Sequence, residues 1–466
     1  MESIRIKDLA KAAQARLFGN AALSVSSIVI DSRETAPASM FVCIVGENND
    51  GHKYVESAYE NGCRVFLMSD VDVVSSFMQK HEDVGVILVS DTEEAFRLMA
   101  EWYLNSLTVK KIGVTGSVGK TTTKSLVSAV LSEKYRVVCN DKNYNTKLGL
   151  CMTTFKANRD TQIIVYEMGM DRAGEIDEYC SWVKPNTAII TVIGDSHLER
   201  LGSKEAIADA KLEITHRLRQ GDALIYNSDS PFLDMFTLSK RTQMNFTPIA
   251  VGQRDSVVHI EKVVDNGLKG ISFVLKTKDE KLKISLPLLG KHNAINAALA
   301  ATCGLTYEVP KEKIIKALAN ASGTDRRLAY EDINGLTLLD DSYNANPASM
   351  AAGLDVLASV KAKRHVAILA DMYELGEDEE SGHIQTGEKA GEVGVDLLVA
   401  IGRNASLMAD GALSKSRKIS VVKFKDVESA AEKIMSLLAA GDAVLVKGSN
   451  ATRVSAVAEM IRSMKA

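Results

Sequence analysis

Thr115-Gly116-Ser117-Val118-Gly119-Lys120-Thr121-Thr122-Thr123 is the stretch on which the reading of this chain turns. The residues before it, Val109-Lys110-Lys111-Ile112-Gly113-Val114, carry the β-branched content of a strand. Those after it, Lys120 to Glu133, predict a helix. Strand, glycine turn and helix in this order aim backbone N–H groups and a helix N-terminus at anionic oxygens. Gly116 and Gly119 let the backbone approach closely, because no Cβ intervenes. Lys120 adds a cation for terminal phosphates, and Thr121 a hydroxyl suited to Mg2+. Ser117 and Thr122 belong to the same turn. The common pattern G-x-x-x-x-G-K-[ST] needs glycine at position 114, where this chain has Val114. The loop is therefore a T-G-x-x-G-K-T-T variant, and its expected ligand is ATP.

Outward from the loop, more apolar runs end in polar residues. Gln162-Ile163-Ile164-Val165-Tyr166 precedes Glu167, and Thr187-Ala188-Ile189-Ile190-Thr191-Val192 precedes Ile193-Gly194. Apolar strands alternating with helices predict a parallel sheet covered on both faces. Ser256 to Leu288 alternates more and reads as a small antiparallel appendage; Asn293 to Cys303 reads as an Ala-rich helix. The strand pattern recurs at Leu336–Leu339, Val366–Leu369, Leu397–Ile401 and Ala443–Val446. At 466 residues the chain exceeds one hydrophobic core, and about three domains are expected. The boundaries read as 1–107, 108–322 and 323–466. The fold class is α/β: a central P-loop parallel sheet, flanked by an N-terminal substrate domain and a C-terminal Rossmann-like α/β domain. In the first region Met40 to Val45 is a short apolar run, and Gly46-Glu47-Asn48-Asn49-Asp50-Gly51-His52 reads as an exposed loop.

Bulk composition narrows the function class. The formal net charge is −4 and no block of Lys and Arg stands out, which argues against a nucleic-acid or membrane-surface partner. The six cysteines form no C-x-x-C pair, and their scatter fits small buried residues in a reducing compartment. The N-terminus is broken at once by charge, and no apolar run approaches the ~20 residues of a membrane span. A soluble cytoplasmic enzyme is expected.

Other chemistry-bearing residues each have a plain reading beside a functional one. Glu167 ends a strand, where ligands gather in open parallel sheets; it could bind Mg2+ or be a solvated strand end. His197 follows the next strand through a short turn, as a ligand or a structural histidine. Lys211, in Ala208-Asp209-Ala210-Lys211-Leu212-Glu213, reads by itself as a surface lysine. Asn293 and Asn296, and the run Asp341-Ser342-Tyr343-Asn344-Ala345-Asn346-Pro347, suit either an adenine edge and ribose hydroxyls or helix capping.

In combination the chain resembles the Mur ligases of peptidoglycan synthesis, over essentially its whole length. The run Asp341–Pro347, Glu374-Leu375-Gly376-Glu377 with His383, and Val446-Lys447-Gly448-Ser449 carry the resemblance. Asp31-Ser32-Arg33, Met40-Phe41-Val42 and Asp50-Gly51-His52 also fit. The likeness implies the branch that joins D-alanyl-D-alanine to UDP-N-acetylmuramoyl-tripeptide, and so a place in cell-wall biogenesis, cell shape and division. It implies that Lys120, Lys211, His197 and Arg327 are catalytic. ATP would meet Gly116, Ser117, Gly119, Lys120, Thr121, Thr122, Asn293, Asn296, Arg327 and Asp341. Mg2+ would meet Thr121, Glu167 and His197, and Lys211 would be carbamylated. The other substrates would meet Asp31, Ser32, Arg33, Asn143, Asn145, Asn344 and Asn346. Arg326 replaces the family's glycine before the linker arginine, Lys147 a usual Glu, and Cys151 a common Pro. A monomer is expected. The competing readings are a folylpolyglutamate-type or other Mur-type amide ligase, and a nucleotide-binding protein that ligates nothing.

Overall fold

The computed structural model describes residues 1–141, 144–194, 196–254 and 256–464. It is an α/β protein built on parallel sheets, as the alternating apolar runs predict. Two compact units emerge: residues 1–113, 135–170 and 178–186 form one, and residues 114–134, 171–177 and 187–466 the other. No helix among the described residues is long and apolar enough to cross a membrane. All six cysteines are free and five are buried.

In the first unit, Ser27–Val29, Ser39–Val42, Val65–Met68 and Gly85–Leu88 run parallel in that order, and Arg16–Gly19 closes one edge antiparallel. The central strand Val65–Met68 is buried at every residue, as a parallel strand covered on both faces must be. Helices Val71–Lys80 and Thr92–Asn105 start where Asp70 and Asp91 accept from the first free backbone N–H groups. The stretch expected as one exposed loop divides in two. Residues 46–49 are exposed, but His52 is buried. Its Nδ1 lies 2.7 Å from Asp50 Oδ1, and its Nε2 accepts from Ser69 N at 2.9 Å. The same unit contains the parallel pair Val137–Cys139 and Ile163–Glu167 and the helix Lys147–Lys156.

In the second unit, Thr187–Ile190, Ala223–Asn227 and Thr247–Gly252 run parallel. The segment 256–288 is no separate appendage. Its first strand, Val258–Asp265, pairs parallel with Thr247–Gly252, and Ile271–Lys276 and Lys281–Leu286 then extend the same sheet antiparallel. Helix Asn293–Thr306 packs on helix Lys120–Ser132, so closely that a Cβ on Gly304 would come within 2.4 Å of Val130. A six-stranded sheet follows, in the order Ala329–Ile333, Leu336–Asp341, Asp442–Lys447, Arg364–Ala370, Leu397–Ile401 and Ser420–Phe424. All its pairings are parallel except the first. The four interior strands match the four apolar runs. The two edge strands carry mixed burial, so no run announces them.

Helices Glu379–Glu392 and Ala405–Lys415 touch backbone to backbone. A Cβ on Gly387 would lie 1.9 Å from the Met408 carbonyl oxygen, and one on Gly411 2.2 Å from that of Ile384. Gly387→Ala should therefore force the helices apart and cost about 1–3 kcal/mol, despite alanine's better helix propensity. Urea unfolding of the variant against the parent chain measures it.

Candidate active site

The phosphate loop is shaped by its neighbours. Gly116 has φ +145° and Gly119 φ +86°. A Cβ on Gly116 would lie 1.9 Å from Thr191 Oγ1, and one on Gly119 2.6 Å from Asn296 Oδ1. Thr191 Oγ1 donates to Val118 O at 2.6 Å, and Ser117 N to Val192 O at 2.7 Å. Ser117 Oγ accepts from Gly194 N at 2.9 Å. The turn thus begins at Gly116, and Val114 is a buried strand residue that needs no positive φ. Helix Lys120–Ser132 starts directly after Gly119, and Lys120 Nζ donates to Gly116 O and Ser117 O at 2.7 and 3.2 Å. Thr121 is buried in the first turn, and Thr122 lines a recess of about 70 Å³ with Ser125, Leu288 and Thr324. Behind the loop, Asn296 Oδ1 accepts from Thr123 Oγ1 at 3.2 Å, and Asn296 Nδ2 donates to Asn293 Oδ1 at 2.9 Å. Asn293 and Asn296 therefore brace the loop from inside with the amides expected at an adenine edge.

Lys211 is no surface lysine. It is 1% exposed on helix Lys204–Leu212, whose inward stripe includes Ile207, Ala208, Lys211 and Leu212. The spacing from Ile207 to Lys211, one turn of a helix, was the available signal. Burial, and then the charge of Lys120, push the Lys211 ammonium well below its ordinary 10.5.

His197 has φ +65°, and its Nδ1 lies 3.1 Å from Glu374 Oε2 and 3.4 Å from Asp171 Oδ1. Neither carboxylate stood out as a site residue in the sequence. Arg200 pairs with Asp171 at 3.0 Å. Glu213 accepts from Gly174 N at 2.7 Å and Asp177 N at 3.1 Å, which anchors the segment carrying Asp171.

At the carboxyl edge of the six-stranded sheet, Asp341 pairs with buried Lys447 at 2.6 Å, and Lys447 also donates to Asn344 O at 2.9 Å. Arg326, at φ +58°, bonds to Ser342, whereas Arg327 lies over the Tyr343 ring at 4.1 Å. Asn346 caps helix Pro347–Ser359 in a reciprocal box with Ser349, and its Nδ2 reaches Ser196 Oγ at 3.1 Å. The capping reading thus holds for Asn346, with a second contact besides.

The remaining site residues lie in the first unit. Glu167 is 1% exposed, so it is no solvated strand end. Its backbone N–H donates to Asn140 Oδ1 at 2.6 Å, and its Oε1 accepts from Asn145 Nδ2 at 3.2 Å. Asn143 lies outside the described residues. Asp31 caps the turn Ser32–Glu34, and exposed Arg33 pairs with it at 2.6 Å. The Arg33 hydrogen bond chiefly holds the Asp31 carboxyl down to about 2. Ser32 is buried, and its carbonyl accepts from Asn61 Nδ2 at 3.0 Å.

No group of three His, Cys, Asp or Glu side chains placed to hold a metal occurs among the described residues. The oxygens of Thr121 and Glu167 nevertheless have the hardness that Mg2+ prefers, and this ion commonly takes few protein ligands. His197 has Nδ1 turned to carboxylates, which leaves Nε2 as its candidate ligand atom. The residue chemistry fits.

Two measurements follow. Gly116→Ala should weaken ATP binding at least about tenfold, because the loop must move off Thr191; titration calorimetry reads this directly. For Lys211, the unfolded chain holds its proton up to about 10.5 and the folded chain loses it at lower pH. Stability therefore rises with pH across that window, by at most about 1.4 kcal/mol per unit. Lys211→Met should remove this slope in CO2-free urea unfolding from neutral pH to pH 9.5, and be the more stable form at neutral pH.

Comparison with known proteins identifies the family. The family models described as Mur ligase family, catalytic domain; Mur ligase middle domain; and Mur ligase, glutamate ligase domain match residues 24–101, 114–304 and 326–450. A Bacillus subtilis protein named UDP-N-acetylmuramoyl-tripeptide–D-alanyl-D-alanine ligase is 33% identical, over 93% of this chain and 92% of its own. An Escherichia coli protein of the same name is 30% identical, over 100% and 99%. A crystal structure of MurF from Acinetobacter baumannii superposes with a TM-score of 0.87 at 27% identity, over 99% of both chains. With its phosphate loop, its buried Lys211 and this full-length likeness, the chain belongs to the Mur ligase family of ATP-dependent amide ligases.

Proposed function

We propose that this enzyme joins D-alanyl-D-alanine to UDP-N-acetylmuramoyl-tripeptide with hydrolysis of ATP to ADP and phosphate, forming the pentapeptide precursor of peptidoglycan. One observation carries the reading: relatives of that name match over at least 92% of both chains at 30–33% identity. In this reading residues 1–107 hold the sugar nucleotide, 108–322 hold ATP, and 323–466 bring the dipeptide. The enzyme works as a cytoplasmic monomer.

The terminal carboxylate of the tripeptide attacks the γ-phosphate, giving an acyl phosphate and ADP. The dipeptide amine then attacks the acyl carbon; the new C–N bond forms, phosphate leaves, and the amine proton passes to solvent. Two anions must approach in the first step. Lys120 and Arg327 offset their repulsion, with Gly116, Ser117, Gly119 and the start of helix Lys120–Ser132 supplying N–H groups. Asp341 serves the nucleoside end, while Asn293 and Asn296 hold the phosphate loop from behind. Asp31, Ser32, Arg33, Asn143 and Asn145 serve the sugar nucleotide, and Asn344 and Asn346 the dipeptide. Thr121, Glu167 and His197 would hold Mg2+, which supplies charge neutralisation at the phosphates. Lys211 is suited to carbamylation. Its burial favours the neutral amine, which can add CO2 with loss of one proton, turning a buried cation into an anion.

The test is a product mass. Incubation with ATP, the UDP-linked tripeptide (lysine or diaminopimelate at its third residue) and D-alanyl-D-alanine should yield the pentapeptide and ADP. ADP released equally without the dipeptide would defeat the ligase reading, and preferential use of folate would move it to the polyglutamate class. Lys211→Ala should lower amide formation roughly 100-fold or more; full activity would remove the carbamate.

A further inference from the structure

Glu374 belongs to a motif that the reaction as derived leaves without a role. It lies in the loop after strand Arg364–Ala370, with φ +65°, a conformation unfavourable to any residue with a Cβ. Its partner His197 has the same φ. The two stand in register because their loops meet at several points. Glu199 N lies 3.5 Å from Glu374 O, and a Cβ on Gly376 would come within 3.1 Å of Glu199 Cα. Asn346 Nδ2 bonds to Ser196 Oγ, one residue before His197. The short segment 196–199 is thus gripped from the six-stranded sheet on both sides of the imidazole.

His197 Nδ1 is shielded from solvent. Among the described residues it faces two carboxylates, Glu374 at 3.1 Å and Asp171 at 3.4 Å, the nearer at ion-pair distance rather than in line for a hydrogen bond. Ionised carboxylates only accept, so a neutral imidazole between them carries its proton on Nδ1 and keeps the Nε2 lone pair. Asp171 lies in the segment 171–177 and Glu374 follows a strand of the six-stranded sheet, both within the second unit.

We propose that Glu374 is a positioning residue, which sets the Nδ1–H tautomer and the orientation of His197 when the C-terminal sheet seats against segment 196–199. The nucleotide-side site is then complete only when the part of the chain that brings the acceptor is in place. The proposal rests on the functional reading above.

The experiment combines imidazole 15N spectroscopy with kinetics on the full chain at pH 8. His197 resonances are assigned by their loss in His197→Gln. The parent chain should show Nδ1 protonated, and Glu374→Ala should raise the Nε2–H population. In amide formation Glu374→Ala should lose about 10- to 100-fold in kcat with the KM for ATP within threefold, and Glu374→Asp should recover most of it. A kcat within threefold of the parent overturns the proposal, as does a loss of kcat with unchanged His197 15N shifts. Should the parent chain itself make no amide, the functional reading fails, and the 15N comparison still decides the role of Glu374.

Discussion

The site depends on one steric constraint: the backbone at Gly116 and Gly119 lies where no Cβ can fit. Thr191 closes in on the first glycine and Asn296 on the second. Thr191 directly follows strand Thr187–Ile190 and Asn296 lies in helix Asn293–Thr306, so the loop's shape is held from two sides by parts of the chain far from it in sequence. Hydrogen bonds from Thr191 to Val118 and between Ser117 and Gly194 add direction to what the packing excludes. With the turn defined at Gly116, position 114 is left to the core, and valine is the better residue there. The shortened glycine pattern is a consequence of this geometry.

Charge is treated differently around that loop and elsewhere. Lys447 is buried against Asp341, and Arg462 meets Asp340 at 2.7 Å, so those cations are paired, and removing either partner would leave a charge uncompensated. Lys211 is buried as deeply, yet has no ion pair among the described residues and feels Lys120 instead. A buried cation facing a second cation costs stability, and such arrangements gather at reactive sites. His197 shows a third pattern, an imidazole between carboxylates from two separate stretches of chain. The paired groups build the frame, whereas Lys211 and His197 sit in charge environments that a frame does not need.

Legibility in the sequence followed burial. Strands covered on both faces, such as Ile163–Glu167 and Leu397–Ile401, are unbroken apolar runs and could be read directly. Edge strands Ala329–Ile333 and Ser420–Phe424 face solvent on part of their surface, so their residues alternate irregularly and leave no run to find. The segment 256–288 was readable as antiparallel, but its parallel attachment through Val251 and Val258 was not, because pairing partners leave no trace in local pattern. His52 looked like part of an exposed loop because its sequence neighbours are polar; its burial comes from backbone N–H groups at Ser69 and Asp70.

The sequence by itself determined the phosphate loop, the α/β class and the kinship, because glycine spacing, strand runs and motif order are local properties of the chain. It also supplied Lys120, Glu167, His197 and Lys211 as candidates. Only the tertiary structure decided what each of them faces. Lys211 changes from a surface cation to a buried amine because its helix turns one stripe inward. Glu167 becomes a buried, hydrogen-bonded carboxylate because its strand end is covered. His197 acquires Glu374 because two loops distant in sequence meet, and no reading along the chain can place such a neighbour.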